Sequence, residues 1–274
     1  MTFLHMHGTG NQFLILDAFR ETPPSAEELP ALARRLCRRD GGVDGLLVVE
    51  PDADFSGRMR VYNADGSIAE MCGNGLRCVG RLLVDRGYAE GEFVVATDAG
   101  PRRVAVLASE GERSDVRVSL GRPVFEPALI PTTLTGTPPV ETQLAFDEET
   151  VSVTSLSMGN PHAVLFVEDS ETAPVARLGP LIERHPAFPN RTNVGFVSVA
   201  SRHELRLRVW ERGVGETAAC GTGAAAAAVA GLLTGRTDRT VLIRLRGGDL
   251  RIDWPDDAAE VTLTGDAVTV GVVE

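Results

Sequence analysis

Cys72-Gly73-Asn74-Gly75 recurs, with one substitution, as Cys220-Gly221-Thr222-Gly223, 148 residues further along the chain. At that offset, without a gap, Arg60-Val61-Tyr62 falls on Arg208-Val209-Trp210, Asn63 on Glu211 and Gly87 on Gly235. A strand, a turn, a Cys-Gly-x-Gly elbow and a helix therefore repeat, which marks an internal duplication. Each elbow leads into a helical run, Leu76 to Asp85 in the first copy and Ala224 to Ala228 and on to Leu233 in the second, with Gly87 and Gly235 placed as C-terminal stops. The elbow glycines are expected to supply unusual dihedrals and a close approach of ligand to backbone. Each cysteine stands at a helix N-terminus, where unpaired N–H groups and the macrodipole favour negative charge. A thiol there ionises more readily. A carboxylate can also be held by the amides of residues 73–75 and 221–223.

The 274 residues are enough for two domains with cores of their own, and the duplication favours two. With 27 basic against 38 acidic residues the net charge is −11, which argues against a nucleic-acid partner. No apolar run of about 18 residues could span a bilayer. Nor does the sequence open on a charged stretch followed by an apolar one, so a cytoplasmic location is expected. The cysteines at 37, 72, 78 and 220 form neither a Cys-x-x-Cys pair nor a zinc-ligand spacing. Free thiols are expected, with Cys37 and Cys78 as buried filler and no metal.

In chain order, Phe3 to Phe19 reads as an apolar strand interrupted by His7-Gly8-Thr9-Gly10-Asn11. Gly10-Asn11 is echoed by Gly159-Asn160 at an offset of 149, which points to Asn11 projecting into a site rather than merely closing a turn. Ser25 is read as the N-cap of a first amphipathic helix, with an acidic first turn and an end at Gly41-Gly42. Strands follow at 46–50, 58–63, 92–97, 102–107 and 116–120, with only two helices among them. The segment 121–149, rich in proline and threonine, reads as a linker. Beyond it come strands near 151–157 and 163–167, a helix near 175–184, strands at 194–200 and 204–210, the second elbow and helix, then strands at 241–245, 250–254, 260–263 and 268–273. The pattern is strand-rich α+β.

Two helix-terminal thiols acting on one carbon can invert it: one thiolate removes a proton while the other thiol delivers one to the opposite face. Such chemistry needs neither a metal nor a Schiff base. The α-proton of an amino acid is a poor acid, so the carbanion needs fixed positive potential, which helix N-termini supply. General acid–base catalysis contributes about 10²- to 10⁴-fold.

The same residues resemble a known family. Gly10-Asn11, Asn63 to Ser67, Ala69 to Cys78, Gly159-Asn160-Pro161-His162, Thr192 to Gly195, Glu211 to Thr217 and Ala219 to Gly223 are similar to diaminopimelate epimerases, and the match runs from end to end. The resemblance implies a cofactor-independent two-base epimerase interconverting LL- and meso-diaminopimelate in lysine and cell-wall synthesis, working as a homodimer. It implies two pseudo-symmetric domains, each a β-barrel-like mixed sheet around a central helix. These would be residues 1–120, rejoined by a last strand at about 265–274, and residues 121–264. Cys72 and Cys220 would be the acid/base pair. Gly73, Asn74, Gly221 and Thr222 would hold the reacting carboxylate, and Asn11, Asn63, Asn160, Asn193, Glu211 and Arg212 the distal amino-acid end. His162 would support Cys72 as a base, while Glu211 would keep Cys220 protonated through like charge. The chain departs from the family's pattern at Gln12, where members commonly have the aspartate of Gly-Asn-Asp-Phe, and at Gly45, where some have a glutamine contacting the site. A proline or hydroxyproline racemase, a non-catalytic amino-acid binding protein and a thiol redox protein are the competing readings.

Overall fold

The computed structural model describes residues 1–38, 42–146 and 149–274, and its contacts divide the chain into two compact units, Met1–Ser119 with Thr264–Glu274, and Leu120–Leu263. The strands before Leu120 are β1 (Phe3–Gly8), β2 (Asn11–Asp17), β3 (Gly45–Glu50), β4 (Gly57–Asn63), β5 (Ile68–Ala69), β6 (Glu92–Ala96), β7 (Arg102–Glu110) and β8 (Arg113–Gly121). Next come β9 (Thr142–Ala145), β10 (Thr150–Ser157), β11 (Pro161–Phe166), β12 (Asn193–Ser201), β13 (Glu204–Glu211), β14 (Gly215–Thr217), β15 (Thr240–Leu245), β16 (Gly248–Asp253) and β17 (Val261–Val273). The helices are α1 (Leu29–Cys37), α2 (Gly73–Asp85), α3 (Val175–Glu183) and α4 (Gly221–Leu233).

In the first unit the pairing runs β1–β2–β3–β4–β6–β7–β8–β17 and back to β1, so the sheet closes into an eight-stranded barrel. Alternation along the strands decides what lies on each face. Ile15 sits beside Leu47 in register, and a Cβ at Gly75 of α2 would lie 3.1 Å from Leu47, so these side chains point inward onto the enclosed helix. Leu14, Leu16, Leu46, Val48 and Tyr62 point outward, where they bury against Leu29, Leu32, Ala33 and Leu36 of α1. A sheet covered on both faces explains why β2 and β3 read as nearly continuous apolar runs.

The second unit repeats the pairing pattern strand for strand: β10–β11 antiparallel, β11–β12 parallel, β12–β13 antiparallel, β13–β15 parallel and β15–β16 antiparallel. The registers coincide too. Val61 pairs with Ala69 and Val209 with Thr217, Gly57 with Val95 and Leu205 with Ile243, Glu92 with Ala105 and Thr240 with Asp253. Its outer face (Ala163, Leu165, Val194, Phe196) buries against Val175, Leu178 and Ile182 of α3, and Trp210 packs there as Tyr62 does against α1. Helix α4 is buried from Gly223 to Gly231, which is why alanines fill it: a helix with no exposed face cannot be amphipathic.

Helices α2 and α4 both end in a Schellman motif. Tyr88 N bonds Leu83 O and Gly87 N bonds Val84 O; Arg236 N bonds Gly231 O and Gly235 N bonds Leu232 O. Gly87 and Gly235 hold φ of 72° and 70°, the stops expected from the sequence.

Several expectations need correction. The break at residues 7–11 is only Thr9-Gly10, both at positive φ, in a hairpin where Gly8 faces Asn11. Helix α1 begins at Leu29 rather than at Ser25. Ser25 and Glu28 close a separate turn, and Pro30, lacking an N–H, cannot carry an i→i−4 ladder through from it. Helix α1 ends at Cys37 with Arg38 as its C-cap, and Gly41 of the expected stop lies outside the described residues. The segment 121–149 is no linker. It buries Ile130 and Thr132, adds β9 to β10, and bridges Val124 to Ser157. The two last strands are one, β17, because Gly265-Asp266 continues in extended backbone.

Gly80 of α2 faces β7, and a Cβ there would come within 2.5 Å of Val104 Cγ1. An open helical site would gain about 1 kcal/mol from Gly→Ala. Here over-packing at about 1–3 kcal/mol outweighs that gain. Gly80→Ala is expected to lower Tm, with part of the loss recovered in the Gly80→Ala/Val104→Ala double variant; a raised Tm in the single variant would contradict the packing.

Candidate active site

Cys72 is the N-cap of α2, in extended backbone (φ −139°, ψ 112°), and its sulfur accepts the Gly75 N–H at 3.4 Å. An amide donated to sulfur at a helix start stabilises negative charge on that sulfur. Asn11, the first residue of β2 and on the same inner face as Phe13, places its Oδ1 4.0 Å from Cys72 Sγ. The same oxygen accepts from Asn74 Nδ2 at 3.4 Å. Asn74 Oδ1 accepts in turn from Arg77 Nη1 at 3.1 Å. The sequence pattern thus finds Cys72, Asn11 and Asn74, and the structure gathers them. Asn63 lies at the end of β4 with its Nδ2 donating to Ser67 Oγ at 2.9 Å, inside a turn that Asp65 ties to Ser67.

The elbow glycines act otherwise than expected. None of Gly73, Gly75, Gly221 and Gly223 has positive φ; all four are helical. What Gly75 and Gly223 provide is room. A Cβ at Gly223 would lie 3.3 Å from both Cys220 Sγ and Val209 Cγ2, and one at Gly75 would press Leu47 and approach Cys72 Cβ.

Cys220 caps α4 in nearly the same conformation (φ −137°, ψ 110°) but is 7% exposed, with Thr222 Oγ1 3.6 Å from its sulfur. Burial first, and the Glu211 carboxylate second, push this thiol up to about 12, against smaller help from Thr222 and the Gly223 amide. Burial also raises Glu211, which is countered by hydrogen bonds from Thr217, whose Oγ1 donates to Glu211 Oε1 at 2.5 Å, and from Cys220. Cys220 is therefore a thiol that donates to a carboxylate.

His162 is 2% exposed, and its Nε2 lies 2.9 Å from Asn160 Oδ1, an acceptor, which puts the proton on Nε2. Burial, and to a lesser degree the Arg212 charge, hold it down to about 3, so the ring is neutral at physiological pH. Asn193 is also buried: its Nδ2 donates to Pro161 O at 2.9 Å and its Oδ1 accepts from Arg212 N at 2.9 Å. The Arg212 guanidinium donates to Asn190 O at 3.3 Å. Asn193 therefore fixes the backbone that carries Arg212. Thr217, Thr9, Asp266 and Arg77 were not singled out from the sequence. The sign of Arg77 was present, a cation about one turn into a helix whose next residues are largely apolar.

A family model described as diaminopimelate epimerase matches residues 3–126 and 154–270. The diaminopimelate epimerase of Moorella thermoacetica is 50% identical over 273 residues, covering 98% of this chain and 97% of that protein. That of Desulforudis audaxviator is also 50% identical over 273 residues, with the same coverage. The chain belongs to the diaminopimelate epimerase family. Solved structures share the fold of this family across much lower identity. The Bacillus anthracis phenazine biosynthesis protein of the PhzF family gives a TM-score of 0.72 at 15% identity, covering 100% of this chain and 98% of that one. A hydroxyproline epimerase from Agrobacterium vitis, with bound trans-4-hydroxy-L-proline, gives 0.70 at 16%, covering 100% and 91%.

Both departures from the diaminopimelate epimerase pattern have a local account. Gln12 points to the face opposite Asn11, where its Oε1 lies 2.8 Å from His5 Nε2, so it does not touch the Asn11 contacts. Gly45 corresponds to Asn193 at the 148-residue offset, and a Cβ there would meet Tyr62 O at 2.8 Å and the Phe13 ring at 3.6 Å. Phe13 itself stands where the second unit has His162, so the first unit fills with an aromatic ring the space the second gives to polar side chains.

The depressed His162 gives a sign to stability against pH. Unfolded, the ring returns to about its ordinary 6.5; folded it sits at about 3, so between these values the unfolded chain binds the extra proton. The stability is present in full above pH 6.5 and is lost as pH falls towards 3. In His162→Gln the fall in unfolding free energy between pH 7 and pH 4.5, measured by urea titration, should be shallower by about one proton's slope. An unchanged slope would show that the imidazole does not set it.

Proposed function

We propose that this member of the family interconverts LL- and meso-2,6-diaminopimelate by a two-base mechanism that uses no cofactor. The observation that carries the reading is the pair of cysteines, each the N-cap of an enclosed helix in a register-matched half. The names borne by its relatives supply the substrate. Cys72, accepting an amide hydrogen, is the resting base; Cys220, donating to Glu211, is the resting acid. In the reverse direction the roles exchange.

The chemistry follows from these groups. Removing the α-proton leaves charge that delocalises into the adjacent carboxylate, and the helix-start amides at Gly73, Asn74, Gly221 and Thr222 are proposed to stabilise it. Each 1.4 kcal/mol of that stabilisation gives about a tenfold rate. Asn11, Asn63, Asn160, Asn193, Glu211 and Arg212 are proposed to bind the distal amino-acid end. Arginine takes a carboxylate through its fork, and asparagine serves either polarity without net charge. His162, neutral and hydrogen-bonded to Asn160, would be free to accept from Cys72 when that thiol is protonated. The enzyme is further proposed to act as a homodimer in the cytoplasm. No helix among the described residues is long and apolar enough to cross a membrane.

The reading is tested by incubation with LL-diaminopimelate in deuterated water. Meso product should form with deuterium at one α-carbon, L-proline should not exchange, and Cys72→Ala or Cys220→Ala should lose inversion by at least about 10³-fold, the scale of a lost acid–base group. Exchange with proline in place of diaminopimelate would assign a racemase instead, and binding without exchange a non-catalytic protein. In the pH–rate profile, His162→Asn should move the limb belonging to Cys72 and Glu211→Gln the limb belonging to Cys220; two unmoved profiles would remove both auxiliary roles.

A further inference from the structure

Beneath the first elbow lies a cation that the proposed mechanism does not yet use. Arg77 is fully buried, and every acceptor it meets is neutral. Its Nη2 donates to Thr9 Oγ1 at 2.6 Å, Nη1 to Asn74 Oδ1 at 3.1 Å and to Gly73 O at 3.4 Å, and Nε to the main-chain oxygen of Asp266 at 2.8 Å. The Asp266 carboxylate turns instead to Thr9, accepting its N–H at 2.7 Å and its hydroxyl at 3.3 Å. The guanidinium thus ties the β1–β2 turn, which carries Asn11, and the strand β17 to the first turn of α2. It does so without spending its charge on a direct ion pair. Removing a buried cation from water without a bidentate carboxylate is costly, so its retention asks for a function.

The equivalent position in the second unit is Ala225, and the position equivalent to neutral Asn63 is Glu211. One capping cysteine therefore has a buried cation below it and the other a carboxylate beside it. We propose that Arg77 is a positioning residue that keeps Cys72 as the anionic member of the thiol pair, by its charge, and, by its fork, fixes Asn74 and through it the Asn11 amide beside that sulfur. The inference rests on the acid/base reading of the two cysteines given above. The charged and titratable groups around Cys72 fit it. From α2 come Arg77 and Cys78, the latter held up to about 12 by burial and so uncharged. From β17 comes Asp266. The inner faces of β1, β2 and β3 offer Met6, Gly8, Asn11, Phe13, Gly45 and Leu47, none of them ionisable. Glu70 precedes the elbow in exposed chain, and Asp98 nearby pairs with Arg58. Burial works against the Arg77 charge, while Cys78, Asp266 and Cys72 work in its favour.

The test reads the sulfur directly, without turnover. The full chain is alkylated with iodoacetamide from pH 5 to pH 10, and the Cys72, Cys220 and Cys78 peptides are followed by mass spectrometry. In Arg77→Met the Cys72 midpoint should rise by about 1 pH unit, a tenfold loss of thiolate at a given pH below it. Arg77→Lys should hold that midpoint within a few tenths of a unit while lowering kcat, since the charge remains and the fork is lost. Asp266→Asn, which keeps an acceptor for Thr9 but removes a countercharge, should lower the midpoint. Cys220 should not move in any of the three, and Cys78 should stay protected. A Cys72 midpoint unmoved in both Arg77→Met and Asp266→Asn would overturn the proposal, reducing Arg77 to scaffolding. Should Arg77→Met fail to fold, Asp266→Asn decides alone: a lowered midpoint supports the role and an unmoved one ends it. Absence of diaminopimelate turnover in the wild-type chain would instead sink the functional reading and leave the thiol titration to judge this one.

Discussion

A helix surrounded by strands meets the outside at its first turn, and there its leading amides have no partner from within the helix. Something must satisfy or use them. In both units the residue placed to do so is a cysteine in extended backbone, with dihedrals that agree within a few degrees between Cys72 and Cys220. This one constraint accounts for much else. The third residue after each cysteine must be glycine, because the sulfur, the helix and an inner strand side chain crowd the same point. The helix must be narrow where it is wholly enclosed, hence the alanines of α4. The inner-facing residues at the strand ends near that turn are the ones able to reach the sulfur or its ligand, and these are Asn11 in the first unit and Glu211 in the second.

The duplication preserves backbone and discards chemistry. Strand registers agree to the residue in the three pairings compared above, yet the side chains flanking the two thiols carry opposite charge. Two identical thiols in identical settings would titrate alike, and a pair that must begin as one base and one acid cannot be identical. Each tenfold separation of their thiolate populations corresponds to about 1.4 kcal/mol of differential interaction. A buried guanidinium and a buried carboxylate are the strongest devices side chains offer for making it, because a low-dielectric surrounding amplifies both.

What could be read from the chain alone follows from how local each signal is. The offset of 148 residues, the Cys-Gly-x-Gly elbows, the glycine stops at Gly87 and Gly235, and the thiols as the chemical groups are all carried by short stretches of residues. The rest is set by pairing between distant segments. That Asn11 shares a face with Phe13 while Gln12 turns away to His5 depends on the register of β1 with β2. The role of Gly75 as space for Leu47, not as a flexible joint, depends on β3 lying under α2. The segment 121–149 looked like a linker because its prolines and threonines carry no period, but burial of Ile130 and Leu144 needs none. Arg77 escaped notice because a buried cation is legible only once its acceptors, from β17 and from the β1–β2 turn, have been brought to it.

Those acceptors also explain why the cation belongs to one unit and not the other. Gly8 faces Arg77, and a Cβ there would stand 3.0 Å from Nη2 and 3.0 Å from Asn74 O, so the guanidinium fits because β1 ends in a residue without a side chain. At the offset of 149 that applies to this hairpin, the second unit has Ser157, whose hydroxyl accepts the Gly159 N–H at 3.2 Å, and at the offset of 148 it has Ala225 in place of Arg77. Glycine goes with arginine in one copy, and serine with alanine stands at the equivalent positions of the other. Putting arginine at 225, a fully buried position, would place a cation inside the unit where burial and the Glu211 carboxylate hold the Cys220 thiol up. Taking it from 77 would leave Gly8 facing a void and four polar acceptors without the guanidinium. Packing and charge are therefore coupled at the Arg77 corner, because the glycine that makes room for the guanidinium and the threonine that accepts from it are neighbours in one hairpin.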